Sequence, residues 1–481
     1  MTSLRPLRDR FLDAEVSLGL WERTFDGSRY WHTMRHAWWG HVARQVGGLS
    51  SAQGSWRDRS WWNLVRNRTA APQADHARAR LRNAGRADVL VSPHHRHEHF
   101  SEGWACPHTW PLLRDAGFST WIVEQADRGL RYRPPAQTNV TTIERSKFLA
   151  YARYHATHRA WGAGGTPQRA TAEAEAWLPA MSAALGVSGL AMLTARLIRR
   201  AGRDIAAYES VYEELIDRVR PKVVLNTVHY ADRNLPLTRV ARRHGIPVVE
   251  VQHGVMSATH LAYNLPPLPP PEAFPDYLLT FGRWWRDQAP GLPLSAERCI
   301  PIGSAWLESA RARLTGVSRS AEPTLVVISQ PSVGEPLTRF AVEAATQLAG
   351  SPWHIVVKLH PGERDGWRGR YPWLAASSVP VITDGSVHEA LASAHAQLGV
   401  YSTALFEGLA FDLPTFVVPW PGSEVFDDLV RDGMAAHVAT PAELAGRLRA
   451  GVASPGAAAD NIWQTDATTH FRDFMWETFR L

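Results

Sequence analysis

Four short segments of this 481-residue chain pair residues that handle an anion with residues that stop a strand. Lys358-Leu359-His360-Pro361-Gly362-Glu363 follows the apolar run Ile355-Val356-Val357. Proline removes a backbone donor and glycine permits a sharp turn, so the strand ends there. An ammonium and an imidazole are thereby delivered to a strand mouth, where ligands of open α/β sheets bind and where a phosphate is well served. Val251-Gln252-His253-Gly254, Ile328-Ser329-Gln330-Pro331 and Val400-Tyr401-Ser402-Thr403, the last with Glu407 one turn on, close three further apolar runs in the same way. Each has a plainer reading. A Ser-Thr pair ahead of a helix caps it, and a single strand-end histidine is often structural. Repetition is what favours a site: if the sheet order joins these mouths, Lys358, His360, Glu363, Ser329, Gln330, Ser402 and Thr403 line one crevice for a diphosphate. Glu407 then stands ready to accept from ribose hydroxyls.

Alternating strands and helices must position these groups. Asp88–Val91, Thr120–Glu124, Val223–Asn226, Val248–Val251, Tyr277–Thr280 and Cys299–Ile302 read as short strands in the first part of the chain. Leu325–Ile328, Ile355–Leu359, Val379–Ile382, Ala396–Val400 and Thr415–Val418 read as strands in the second. Residues 166–220 are Ala-rich with apolar spacings of three and four, a helical pattern. The Pro-rich segment Asn264–Pro275 reads as a stiff extended loop. Alternation of this kind means parallel sheets, and the chain is too long for one ordinary core. We expect an α/β protein of two facing Rossmann-like lobes with a central cleft. Residues 1–285 form an N-terminal lobe behind a helical, Trp-rich leader, and 286–460 a C-terminal lobe. Residues 461–481 form a helix that returns to the first lobe.

Composition narrows the function. Hydrophobic residues make up 45% and charged residues 20%, as in a globular enzyme. The net charge of +6 is carried almost wholly by arginine, since the only lysines are Lys147, Lys222 and Lys358. That balance suits anionic substrates or an anionic membrane surface. No zinc-finger or RNA-binding pattern appears, so no nucleic-acid partner is expected. No apolar run of membrane-spanning length and no apolar signal-peptide core is seen. With only Cys106 and Cys299, far apart, neither a disulfide framework nor a thiolate metal site is implied. A cytoplasmic protein is expected, with room for peripheral contact at the inner membrane face.

Ser92-Pro93-His94-His95-Arg96-His97-Glu98-His99 is dense in imidazole. Histidines two apart share one face of a strand and can ligate a metal, yet Arg96 sits among them and no partner cluster stands out. A loop at an N-lobe strand mouth is the favoured reading. The tryptophans between residues 21 and 62 read chiefly as packing, with sugar stacking or a membrane interface as the alternatives.

The Gln-His-Gly, Lys-Leu-His-Pro-Gly-Glu and Ser-Thr-x-x-x-Glu segments together resemble GT-B glycosyltransferases of bacterial surface-polysaccharide synthesis: capsule-type transferases, His-Pro-motif sialyltransferases and CDP-glycerol glycerophosphotransferases of teichoic acid synthesis. The likeness covers roughly residues 220–420; Leu20–Arg35, with Trp21, Asp26-Gly27 and Trp31, also resembles the opening of some capsule-type enzymes. The resemblance implies a nucleotide-sugar donor held by Lys358, His360, Ser402, Thr403 and Glu407. It implies a glycan or lipid-linked acceptor in the N-terminal lobe, and His253 as general base or phosphate contact. Glu98 or His97, and then Asp26, are the other candidate bases. Lys-Leu stands where the teichoic enzymes have Lys-Pro, which leaves the donor nucleotide open. Histidine titrates near neutrality and qualifies as a base without tuning. No Asp-x-Asp motif ends a strand, so metal-independent inversion with no cofactor is expected. Glycerophosphate transfer, nucleotide-sugar epimerisation and a non-catalytic binding role are the competing readings.

Overall fold

The computed structural model describes residues 4–47, 79, 81–82, 85–94, 96–124, 140–144, 167–231, 233–451 and 461–481. The chain falls into two compact units. One comprises Leu7–Val42, Ser55–Trp306 and Asp466–Leu481, the other Met1–Pro6, Ala43–Gly54 and Leu307–Thr465.

The N-terminal lobe is built on seven strands: β1 (Val89–Ser92), β2 (Thr120–Glu124), β3 (Val140–Glu144), β4 (Val223–Asn226), β5 (Val248–Val251), β6 (Tyr277–Thr280) and β7 (Cys299–Pro301). Their order is β7-β6-β5-β4-β1-β2-β3, every pair parallel. The chain grows outward from β1 in one direction, then returns to start again at β4, so the topological switch lies between β1 and β4. β1, β4 and β5 are buried along their whole lengths, which is why they read as continuous apolar runs rather than alternating ones. Val89, Val91, Val223, Leu225, Val249 and Val251 pack on one face against Phe471, Phe474 and Met475 of the last helix, Ala467–Phe479. The expected return of the C-terminal helix to this lobe is thus observed. Leu90, Val224 and Val248 pack on the other face against Tyr208, Tyr212 and Leu215 of the helix Ala191–Val219. The helical stretch from residue 166 is three helices, Pro167–Glu175, Leu178–Leu185 and Ala191–Val219; Gly186, at a φ of +68°, caps the end of the second.

The leader packs onto the same lobe. Phe11, Trp31, Trp38, Trp39 and Trp177 form one aromatic cluster with ring centroids 5.3–6.2 Å apart. These tryptophans are core residues; those at 56, 61 and 62 lie outside the described residues. Arg35 makes a two-pronged ion pair with Glu15 at 2.6 and 2.7 Å and also donates to the carbonyls of Leu261 and Asn264.

The C-terminal lobe has six strands: β8 (Thr324–Ile328), β9 (His354–Lys358), β10 (Val381–Ile382), β11 (Ala396–Gly399), β12 (Thr415–Val417) and β13 (Ala435–His437). Their order, β10-β9-β8-β11-β12-β13, is again wholly parallel, with the switch between β8 and β11. Both lobes are therefore Rossmann-like. Two edge strands, Val140–Glu144 and Ala435–His437, were not expected from the sequence. Among the described residues no helix is long and apolar enough to cross a membrane.

Candidate functional site

In the C-terminal lobe the mouths of β9, β8 and β11 are neighbours, so the segments after Lys358, Ile328 and Gly399 meet at the switch point. His360 is exposed and caps the short turn Pro361–Glu363, its Nδ1 accepting the Gly362 N–H at 3.0 Å. A neutral ring accepting at Nδ1 carries its proton on Nε2, so His360 presents an N–H donor. Gln330 Oε1 accepts from the Tyr401 N–H at 3.4 Å and ties the β8 and β11 mouths together. The hydroxyls of Ser332 and Tyr401 meet across the same crevice. Ser402 caps the helix Thr403–Leu409 by accepting from Ala404 N at 3.3 Å, which leaves its own O–H to donate. Thr403 is half-buried beside it. Glu407, further along that helix, pairs through Oε2 with Nε2 of buried His388 at 2.9 Å.

Three expected ligand groups serve instead as braces. Glu363 is fully buried and accepts from His360 N at 3.0 Å, Ser329 Oγ at 3.0 Å and Tyr371 Oη at 2.5 Å. Its carboxylate is consumed in fixing the His-Pro turn, and Ser329, 2% exposed, spends its hydroxyl on it. Lys358 is 4% exposed, and its ammonium donates to the carbonyls of Asp384 (2.5 Å) and Gly385 (2.9 Å). Burial, and then the Arg364 charge, draw that ammonium below its ordinary value. Lys358 thus anchors the loop after β10.

In the N-terminal lobe a row of polar residues ends the central strands. Ser92, Asn226 and Glu250 stand in register on β1, β4 and β5, and all are fully buried. Ser92 Oγ donates to Asn234 Oδ1 at 2.6 Å. The Asn226 carboxamide is buried and has no hydrogen-bond partner among the described residues. Glu250 Oε2 lies 2.6 Å from His229 Nδ1, while His229 Nε2 faces the Ala262 carbonyl at 3.1 Å. Burial tends to raise the Glu250 carboxyl, but the charge and hydrogen bonds of His229 outweigh it and hold the group below its usual range.

Above this row stand half-buried rings. Tyr230 Oη lies 3.3 Å from His253 Nε2 and 3.4 Å from His260 Nε2. His94 stacks on His253 at 5.3 Å, His108 lies edge-on to both, and His36 stacks on His260 at 4.9 Å. Burial, together with neighbouring positive groups, pushes His36 down to about 4 and His260 well below its ordinary value. His253 is therefore the sequence-identified residue at the heart of this lobe's cluster. Of the imidazole-rich segment, His94 joins it, whereas His97 is buried and exposed His99 packs on Trp104. His95 lies outside the described residues.

The other two candidate bases are engaged elsewhere. Glu98 sits on a two-stranded hairpin and pairs with Arg96 at 2.9 Å. Asp26 and Gly27, with φ of +50° and +79°, form the turn of another hairpin, and Asp26 pairs with Arg169 at 3.2 Å. Positive φ at both central positions is what an Asp-Gly hairpin turn requires, so Asp26 is a turn residue. Tyr230 and His260 were missed. Thr227-Val228-His229-Tyr230 does follow an apolar run and carries the same strand-mouth signal as the segments singled out, whereas His36 on a helix carries none. Among the described residues no three His, Cys, Asp or Glu side chains are grouped to hold a metal ion.

Neither a known protein family nor a curated protein matches the sequence. Solved structures are similar. UDP-GlcNAc 2-epimerase from Methanocaldococcus jannaschii shares 11% identity at a TM-score of 0.47, over 81% of this chain and 99% of that one. UDP-GlcNAc 2-epimerase from Neisseria meningitidis, bound to UDP-GlcNAc, shares 10% at 0.46, again over 81% and 99%. A calicheamicin glycosyltransferase shares 14% at 0.42, over 81% and 93%. Likeness this distant transfers no residue role and no substrate.

Proposed function

We propose that this chain is a GT-B-type glycosyltransferase that moves a sugar from a nucleotide-activated donor to a surface glycan or a lipid-linked acceptor. The observation that supports the reading is that the segments carrying Gln330, His360, Ser402 and Thr403 leave three neighbouring parallel strands at the switch point of the C-terminal lobe. In this reading an Nε2–H, two hydroxyls and a carboxamide stabilise the charge of the departing diphosphate, while the Glu407 carboxylate, paired with His388, braces the helix behind them. In the reaction the acceptor oxygen forms a bond to the anomeric carbon while the carbon–oxygen bond to phosphate breaks. The bond's electron pair leaves with the nucleotide, and the acceptor proton passes to His253.

Nucleotide-sugar epimerisation is the second reading. It draws support from the presence of more than one proton carrier, His253, Tyr230 and His260, in one cluster. Incubation with CMP-, CDP-, UDP- and GDP-sugars, with and without acceptor glycan, separates the two. Transfer predicts nucleotide release that depends on acceptor; interconversion of a sugar without acceptor establishes the epimerase instead. Release of CMP from CDP-glycerol, with glycerophosphate joined to the acceptor and no sugar reaction, would assign glycerophosphate chemistry. Nucleotide binding with none of these turnovers would leave a non-catalytic binding role.

A further inference from the structure

The loop after β4 is built under strain. Val228, a β-branched residue, takes a φ of +59°, a left-handed conformation that is unfavourable for any non-glycine residue. The strain is held by Asn234, whose Nδ2 donates to the carbonyls of Thr227 at 2.6 Å and Val228 at 2.9 Å while its Oδ1 takes the Ser92 hydroxyl. The turn sends His229 inward onto Glu250 and leaves Tyr230 half-buried between two imidazoles.

We propose that Tyr230 is the positioning residue of the N-terminal-lobe centre, its single hydroxyl forcing His253 and His260 into opposite tautomers. The inference rests on the reading of His253 as the base. A phenol has one proton to give and faces two Nε2 atoms, so it donates to one ring and accepts an N–H from the other. For His253 to receive the acceptor's proton at Nδ1, its Nε2 must already carry one. The phenol oxygen takes that Nε2–H, and the phenol O–H goes to Nε2 of His260, whose own proton is then on Nδ1. As His253 gains a proton and becomes an imidazolium, the Nε2–H···O bond strengthens, because a charged donor bonds more strongly than a neutral one. Nδ1 of His253 lies beneath neighbouring atoms. The acceptor hydroxyl therefore meets it only when a neighbour yields.

The test is a set of 15N spectra of the full-length protein labelled at histidine, with His253→Ala and His260→Ala assigning the two rings. The parent is expected to show His253 protonated at Nε2 and His260 at Nδ1, with both rings losing their fixed tautomers in Tyr230→Phe. If Tyr230→Phe does not fold, His260→Ala releases the His253 tautomer from the other end. The same tautomer on both rings of the parent, or an unchanged His253 in the folded variant, overturns the proposal. These spectra need no substrate, so they stand or fall apart from the transferase reading. With the active nucleotide sugar, Tyr230→Phe should lower kcat at least tenfold and leave the donor KM within twofold. A normal kcat beside released tautomers would remove Tyr230 from the catalytic arrangement.

Discussion

At the scale of single residues, the candidate site divides into groups left open at the strand mouths and groups that hold others in place. His360 belongs to the first set and Glu363 to the second, although the two are three residues apart. A charge-assisted hydrogen bond to an ionised group contributes about 1.5–3 kcal/mol, so His360→Ala should weaken binding of the cognate nucleoside diphosphate by about tenfold or more. Titration calorimetry reads this directly, and unchanged affinity would take His360 out of the donor site. Asp26→Asn and Glu98→Gln should leave turnover within about twofold, because one is a hairpin turn residue and the other a half-buried member of a surface ion pair. A large loss in either would return it to the list of bases. The sequence could single out His253 and His360, because each ends an apolar run at a strand mouth. It could not divide facing from bracing groups. Lys358, His360 and Glu363 sit on one turn, and which of them points into the fold is decided by Tyr371, Ser329 and the carbonyls of Asp384 and Gly385, all distant in sequence.

At the scale of elements, close approach does the positioning. A Cβ on Gly334, which opens the helix Gly334–Gln347 after β8, would lie 2.1 Å from Glu363 Oε1 and 2.3 Å from Tyr371 Oη. Gly334→Ala should therefore destabilise the C-terminal lobe by about 1–3 kcal/mol, the usual cost of overpacking, and lower its melting temperature; an unshifted transition would show that the brace is loose. In the leader, Glu15→Ala strands the buried Arg35 guanidinium. Breaking a buried ion pair from one side costs about 3–5 kcal/mol, so chemical denaturation should register a loss of that order, and a loss under about 1 kcal/mol would contradict the burial seen. The central strands were legible because strands buried on both faces are continuous apolar runs. Val140–Glu144 was not, since Val-Thr-Thr-Ile-Glu alternates weakly and pairs only at the sheet edge. Ala435–His437 is likewise an edge strand, too short to show a period.

At the scale of the whole molecule, two parallel sheets of the same switch-point topology each carry a polar centre at the strand mouths. The N-terminal centre makes the fold sensitive to acid. His36 is held at about 4, against an ordinary 6.5, and His260 is also depressed. Below pH 6.5 the unfolded chain therefore takes up protons that the folded chain refuses, and stability falls as pH drops toward 4. Glu250 acts in the same sense at lower pH, since a carboxyl held below its ordinary value adds stability that is lost as pH falls through its folded value. Unfolding free energies measured from pH 7 to 4.5 should decline, and His36→Gln with His260→Gln should flatten the decline; an equal slope in the double variant would place the acid sensitivity elsewhere. Donor chemistry in this protein requires the C-terminal centre to be the nucleotide site. Hydrogen–deuterium exchange in the presence of whichever of CMP, CDP, UDP and GDP raises the melting temperature most tests this directly. Protection confined to Ser329–Gly334, His360–Glu363 and Tyr401–Glu407 is the predicted result. Protection of Ser92–His94 and Val228–Tyr230 instead, with the three C-terminal segments unchanged, would contradict it.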